Sequence, residues 1–331
     1  MSILITGGAG YIGSHIAHEL VDRGQDVVVL DNLSTGVREN IPAGATFVEG
    51  NVGDPDALGV LFGAHSIEAV MHFAGSIVVP ESVENPLKYY DNNTAVTRTL
   101  LAACVGAKID KFVFSSTAAV YGMPDAAELP VTEKTPTRPI NPYGRSKLMT
   151  EWMLADIASA HDFRYVALRY FNVAGADPGG RTGQSTPAAT HLIKVACQAA
   201  LGMRTELGIF GSDYETRDGT CVRDYIHVTD LARVHLRALE ALQAGSPSRV
   251  LNCGYGRGFT VREVVDSVRR VSGVDFLTHD LARRAGDPPE LIADASALRA
   301  QFGWQPEHDD LDHIVETALK WERRMMQAQK S

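Results

Sequence analysis

Through the first half of the chain, apolar residues come in short runs. Each run is followed by a stretch in which they recur every three or four positions. The runs Ile3 to Thr6, Asp26 to Leu30, Thr46 to Glu49, Ala69 to Phe73, Lys111 to Ser115 and Arg164 to Arg169 predict strands. Several are apolar throughout instead of alternating, the pattern of a parallel sheet covered on both faces. Between the first two, Ile12, Ile16 and Leu20 share a helical spacing, and Gly24 supplies a stop. Asn141-Pro142 provides an N-cap with Pro in the first turn, opening a helix to about Ala160. Strand–helix alternation of this kind predicts an α/β fold with a Rossmann-type doubly wound parallel sheet.

After Asn172 the texture changes. Ala174 to Thr190 is rich in Gly, Pro, Ser and Thr and reads as a long loop, a type that usually serves function in a compact domain. Shorter elements follow, among them a helix that Thr260 and Glu263 open as a capping box. Residues 1–172, completed by about 222–250, are therefore expected to form the first domain. Residues 173–331 are expected to form mainly a smaller mixed α/β C-terminal lobe.

Composition narrows the partners. The 331 residues carry 31 Lys plus Arg against 40 Asp plus Glu, a net charge of −9, which argues against nucleic acid or an anionic membrane surface as the main partner. Four cysteines, Cys104, Cys197, Cys221 and Cys253, form no CxxC pair and no metal-ligand set, so a reducing cytoplasm is the expected compartment and no metal is expected. No apolar run approaches the ~20 residues of a membrane span. The chain is expected to enter its first strand at once, so no leader peptide is expected.

Three segments carry candidate chemistry. Thr6-Gly7-Gly8-Ala9-Gly10-Tyr11-Ile12-Gly13 lies between the first strand and the first helix, satisfying both GxGxxG and GxxGxxG. Glycines there allow a tight turn and close backbone approach to a pyrophosphate at the helix N-terminus. Asp31, ending the second strand, would accept from ribose hydroxyls and repel a 2′-phosphate, selecting NAD over NADP. In the second segment, Tyr143 and Lys147 stand four apart on one helix face. A tyrosine acting as a base needs its pKa brought from ~10 towards 7, and a nearby cation together with the helix N-terminus would contribute to that. The third, Phe114 to Gly122, is a hydroxyl-rich loop leaving a strand end at the ligand edge of such a sheet, where Thr117 could donate and accept a hydrogen bond beside a reacting hydroxyl.

On these segments, the chain resembles the extended short-chain dehydrogenase/reductase family, in its nucleotide-sugar 4-epimerase branch. The resemblance extends through His72-Phe73-Ala74-Gly75, Tyr89-Tyr90-Asp91-Asn92-Asn93, Leu168-Arg169-Tyr170-Phe171-Asn172 and Gly219 to His227. It implies a tightly held NAD, contacted by Gly7, Gly10, Tyr11, Ile12, Gly13, Asp31, Asn32, Asn51, Val52, Phe73, Ala74, Gly75, Asn92, Ser115, Tyr143, Lys147 and Tyr170. It also implies that Tyr143 takes the proton of the sugar 4-hydroxyl, that Thr117 assists, and that Lys147 holds the nicotinamide ribose and lowers the Tyr143 pKa. A hydride leaves C4, the 4-keto sugar swings about its diphosphate, and the hydride returns to the other face. The substrate implied is UDP-glucose or UDP-galactose, with UDP-xylose/arabinose or UDP-N-acetylhexosamines as alternatives. Its contacts would be Thr117, Tyr143, Phe171, Asn172, His191, Leu192, Ile209, Phe210, Arg223, Tyr225, Arg284, Asp287 and Leu291. A homodimer is implied through the Pro142 helix and a helix from about Glu84 to Val105, with Met149, Trp152, Met153 and Ile157 as the apolar stripe.

Some positions depart from that pattern. Asn51 stands where members often have Asp, Ile77 where many have Lys, His191 where many have Asn, and Thr117 where Ser is frequent. A dehydratase of the same fold would carry Asp-Glu immediately after Thr117; here those positions are Ala118 and Ala119, which move no proton. A non-catalytic dinucleotide sensor would not need the Tyr143/Lys147 pair. Gly144-Arg145-Ser146-Lys147 lacks the closing glycine of a hydrolase nucleophile turn. His15 and His18 are expected at the surface, Glu322-Arg323-Arg324 on a solvated helix face, and Tyr225 in packing. Arg223 and Arg284, taken singly, read as solvated charges.

Overall fold

The computed structural model describes residues 1–186, 189–284 and 286–328; Pro187 and Ala188 of the expected long loop, and the last three residues of the C-terminal lobe, lie outside them. Seven parallel strands build the central sheet: β1 (Ser2–Thr6), β2 (Val27–Asp31), β3 (Thr46–Glu49), β4 (Ile67–His72), β5 (Lys111–Ser115), β6 (Arg164–Tyr170) and, after a three-residue strand β7 (Asn172–Ala174) and strands β8 (Leu207–Phe210) and β9 (Val222–His227) that lie elsewhere, β10 (Arg249–Cys253). Their order is β10-β6-β5-β4-β1-β2-β3. The chain runs outward from β1 in one direction and then, from β4, in the other. The carboxyl ends of β1 and β4 therefore flank the crevice where such sheets take their ligands.

The side-chain period of two explains the unbroken apolar runs. Ile3, Ile5, Val27, Val29, Ala69 and Met71 pack on one face with the helices Tyr11–Asp22 and Val228–Gln243. Leu4, Val28, Leu30, Val70, Phe112 and Phe114 pack on the other with Leu58, Leu61, Leu100, Leu101 and Leu154. Both faces of the central strands are thus core, while the edge strand β3 stays partly exposed. The first helix ends at Arg23, and Gly24 follows at φ +72° with open space around it, a left-handed stop.

The second lobe is mixed. β9 runs antiparallel to β11 (Gly258–Thr260) and parallel to β7 and β13 (Glu290–Leu291), while β8 pairs in parallel with β12 (Thr278–Leu281). Helices Leu192–Ala200, Val261–Ser272 and Leu311–Ala328 pack on one another, the second opened by the Thr260/Glu263 capping box. Among the described residues, no helix is long and apolar enough to cross a membrane.

Three expectations need correcting. The helix expected from about Glu84 to Val105 is broken: Asn85 caps a new start at Pro86, and residues 90–95 form a π turn before the helix Val96–Gly106. Pro86 cannot donate to the preceding turn, which forces the first break. His15 is not at the surface but buried, its ring edge-on to Tyr11 and its Nδ1 2.7 Å from the Tyr11 carbonyl; burial holds its pKa down to about 4, so it is neutral. Glu322 is not solvated either. Helix Leu311–Ala328 turns it onto helix Leu192–Ala200, where it accepts from Lys194 and, at 3.0 Å, from the Gln198 amide.

Candidate active site

The glycine turn after β1 is shaped by close approach. A Cβ on Gly13 would lie 2.4 Å from the Gly7 carbonyl oxygen, and one on Gly7, at φ +72°, would lie 2.6 Å from the Ala74 nitrogen beyond β4. Any side chain there would push the turn off the sheet. Gly10 differs: a Cβ would meet only the Gly7 oxygen, at 3.2 Å. Gly10 is also the cap of helix Tyr11–Asp22 and offers no side-chain oxygen to it. The first-turn N–H groups of Tyr11, Ile12 and Gly13 are thus presented to an incoming anion. Asp31, buried at the end of β2, accepts the N–H groups of Ala9 at 3.0 Å and Leu33 at 2.9 Å. These bonds fix the carboxylate beside the turn while leaving it lone pairs for a diol. The donors, the cradle and the carboxylate together fit the pyrophosphate and ribose of a dinucleotide.

The nicotinamide-side residues gather at the same sheet edge. Lys147 donates to the Ser115 carbonyl at 3.0 Å, its Nζ lying 5.0 Å from the centre of the Phe114 ring. The Ser115 hydroxyl bonds the Tyr170 hydroxyl, and the Asn92 amide donates to Ser76 at 2.9 Å, just past Gly75. Tyr143 stands in the first turn of helix Pro142–Ala160, which Asn141 caps by accepting the Gly144 N–H at 2.8 Å. Its phenol hydrogen-bonds the Thr117 hydroxyl, whose oxygen also accepts the Ala119 N–H at 3.1 Å. Tyr143, Lys147 and Thr117 thus meet at one place, from a helix and a loop far apart in sequence.

Burial dominates the electrostatics of this pair. Burial pushes the Tyr143 phenol above its ordinary value of 10, and only the Thr117 hydrogen bond pulls it back. Burial also lowers Lys147 to about 8.

Towards the second lobe, Asn172, His191, Leu192 and Tyr225 line a single small cavity with Gly175, Gln184, Lys194 and Trp321. His191 Nδ1 lies 2.6 Å from the Gln184 amide. Arg284 stacks 3.7 Å over the Phe210 ring, and Arg223, half-buried and not solvated, faces Asp287 at 3.6 Å. Leu291 pairs with Arg223 between β13 and β9 and packs with Phe171, Ala118 and Tyr121, beside the Thr117 loop. Ile209 does not share the exposure of Phe210, because adjacent strand residues face opposite ways and its side chain is buried. The Asn51 carbonyl is engaged by the Gly53 N–H at 2.8 Å, and Asn32 likewise accepts from Ser34 at 3.1 Å, so both turn inward on their own loops. Sequence reasoning missed Ser116, Glu151 and Arg169, which form a buried cluster behind Thr117. The one signal was Glu151 itself, continuing the Tyr143, Lys147 spacing by four.

The glycine turn, the acidic strand end and the Tyr–Lys pair define a dinucleotide-dependent enzyme of the short-chain type, and the sequence model of the NAD dependent epimerase/dehydratase family matches residues 3–254. The chain belongs to that family. It is 60% identical over 326 residues to the UDP-glucose 4-epimerase of Azospirillum brasilense, covering 98% of this chain and 93% of that one. Among solved structures it is similar to the UDP-glucose 4-epimerase of Brucella ovis in complex with NAD, at 47% identity and a TM-score of 0.93, covering 96% and 97% of the two chains. It is also similar to the UDP-Glc/GlcNAc 4-epimerase of Campylobacter jejuni, at 48% identity and a TM-score of 0.85, covering 98% and 99%.

Proposed function

We propose that the enzyme interconverts UDP-glucose and UDP-galactose by inverting C4 of the hexose, with NAD held on the glycine turn. The observation that carries this reading is the Tyr143–Thr117 hydroxyl pair, which joins the Lys147 helix to the loop after β5 at the carboxyl edge of the sheet. When bound, NAD would supply reversible hydride acceptance from C4 and the positive charge of its oxidised ring. Tyr143 takes the proton of the 4-hydroxyl through its phenolate oxygen and returns it when the alcohol is restored. Thr117 donates to that oxygen and steadies its charge. Lys147 holds the ribose and adds positive charge behind Tyr143. Arg223 and Arg284 grip the diphosphate, and Asn172 and the His191–Leu192 segment close on it. Ala118 and Ala119 move no proton, which disfavours dehydration. The four cysteines are all free and buried, in keeping with a cytoplasmic enzyme.

Incubation with UDP-galactose, with the epimer ratio read by NMR, tests the reaction; an unchanged sugar would overturn it. The pocket wall is tested in the same assay. Leu291 is shorter than tyrosine and offers the acetamido group no hydrogen bond, so slow turnover of UDP-N-acetylglucosamine is expected beside faster hexose turnover, an unpaired amide costing about 1–3 kcal/mol. Leu291→Tyr is expected to depress the N-acetyl activity at least about fivefold more than the hexose activity, roughly 1 kcal/mol of added obstruction. An unchanged ratio would remove Leu291 from the pocket.

The enzyme is further proposed to be a homodimer. Trp152 is 58% exposed on helix Pro142–Ala160, and Met149 and Met153 form an apolar groove with Tyr90, Thr94, Ala95 and Arg98. Met153 and Ile157 also pack inward, so the outward apolar area centres on Trp152. Light scattering is expected to give twice the chain mass, and Trp152→Lys to shift it towards the monomer. A monomer at micromolar concentration would refute this.

A further inference from the structure

Behind Thr117 lies a fully buried polar cluster that the proposed reaction leaves without a role. Glu151, 4% exposed, accepts from the Ser116 hydroxyl at 2.5 Å and from the Arg169 guanidinium at 3.0 Å through Nε and 2.6 Å through Nη2. The remaining Arg169 nitrogen, Nη1, donates to the Tyr121 hydroxyl at 3.0 Å. Tyr121 donates in turn to Asn252 Oδ1 at 2.6 Å, and Asn252 donates to the Val131 carbonyl at 2.9 Å. Ser116 and Asn252 are 0% exposed and Arg169 6%.

As a stability device this cluster is a poor choice, because an apolar set of the same volume would cost less to bury. Its geometry suits another task. Ser116 and Tyr121 bound the short loop that carries Thr117, and the Glu151–Arg169 pair holds both ends of it. Glu151 continues the face of Tyr143 and Lys147 on the same helix, one residue every four, so the anchor and the groups it serves share a rigid element. The loop touches that helix directly: a Cβ on Gly144 would lie 2.6 Å from the Ala119 carbonyl oxygen. A misplacement of one ångström between reacting groups is enough to cost two orders of magnitude in rate.

We infer that Glu151 is a positioning residue that acts through Ser116 at one end of the loop, and through Arg169 and Tyr121 at the other, to hold the Thr117 hydroxyl on Tyr143. This rests on the reaction proposed above. Ser116→Ala and Tyr121→Phe each remove one hydroxyl tether and leave the ion pair intact; Glu151→Gln removes the charge that holds Arg169. Each is made in the wild-type and Thr117→Ala backgrounds, and kcat, KM for UDP-galactose and bound NAD are measured on the purified enzyme.

In the wild-type background, each substitution is expected to lower kcat about five- to tenfold with KM within about twofold, the size of a modest positioning loss. In the Thr117→Ala background, the same substitutions are expected to change kcat by less than about twofold, because no hydroxyl remains to be positioned. Equal losses in both backgrounds, or no loss in the first, would overturn the positioning role while leaving the reaction standing. A Thr117→Ala enzyme of full activity would overturn the role of Thr117 and the positioning with it, and an inactive wild type would overturn the reaction itself. Should Glu151→Gln fail to fold, the two hydroxyl deletions decide the matter.

Discussion

Tyr143→Phe is expected to lower epimerisation of UDP-galactose at least about a thousandfold, within the range that a positioned acid–base group contributes. The phenol oxygen is the one atom removed. The Tyr143 ring is buried and meets Tyr89 edge-on at 6.4 Å, a contact that phenylalanine keeps. Thr117 loses a partner but still accepts the Ala119 N–H, so the loop has no new orphan acceptor. The glycine turn and Asp31 lie at other strand ends and are untouched, so NAD released by denaturation and weighed by mass spectrometry is expected at the wild-type amount. Melting should change by no more than the effect of about 1 kcal/mol, a typical value for one hydrogen bond. Activity above a tenth of wild type would remove Tyr143 from the proton transfer, whatever happened to the cofactor.

Much of this was legible because it is local. A glycine turn between an apolar run and a helical stripe, and a carboxylate at the next strand end, are short-range patterns, as is a Tyr and Lys four apart. Each has a physical reason to occur together with the others. The sheet followed from the unbroken runs at Ile3 to Thr6 and Lys111 to Ser115, which demand cover on both faces. What escaped depended on partners far along the chain. Glu322 looked like one of three charges on a solvated helix end, and only the docking of that helix on Lys194, 128 residues earlier, buries it. His15 sits on a helix whose far side is covered by the second lobe, with the Tyr11 hydroxyl donating to the Gly175 carbonyl. Arg169 and Glu151 were unremarkable letters until β6 and helix Pro142–Ala160 brought them to a bidentate contact.

The broken helix after Glu84 shows the same limit from the other side. Pro86 was visible, yet the resemblance implied one unbroken interface helix from about Glu84 to Val105. The π turn at residues 90–95 places Asn92 and Asn93 towards Ser76, where Asn93 accepts the Ser76 N–H at 2.7 Å and donates to Ser146 at 3.0 Å. That turn shifts the helical face by one position just where the strand β4 loop needs polar partners, a use π turns often have.

The pKa of Lys147 leads to the second large effect. Lys147→Met is expected to lower kcat about a hundred- to a thousandfold at pH 7 while leaving the fold at least as stable as before. Burial displaces the ammonium from 10.5 to about 8, so a charged Lys147 costs the folded chain about 3 kcal/mol at neutral pH. The folded value lies below the unfolded one, so this cost is fully present below pH 8 and is relieved as pH rises from about 8 towards 10.5. Methionine carries no such cost but gives up the hydrogen bond to the Ser115 carbonyl, about 1 kcal/mol. Melting temperature at pH 7, compared at equal NAD content, should therefore be equal to or higher than that of wild type. Activity is expected to move the other way on the proposed role of Lys147, which is to hold the nicotinamide ribose and to place a cation behind a phenol that burial pushes above its ordinary value. Wild-type kcat should accordingly fall on the alkaline side as Lys147 loses its proton near pH 8, and the methionine enzyme should lack that limb. A variant that melts several degrees lower would make Lys147 a structural residue, and one that keeps kcat within threefold would show that its charge does not serve Tyr143.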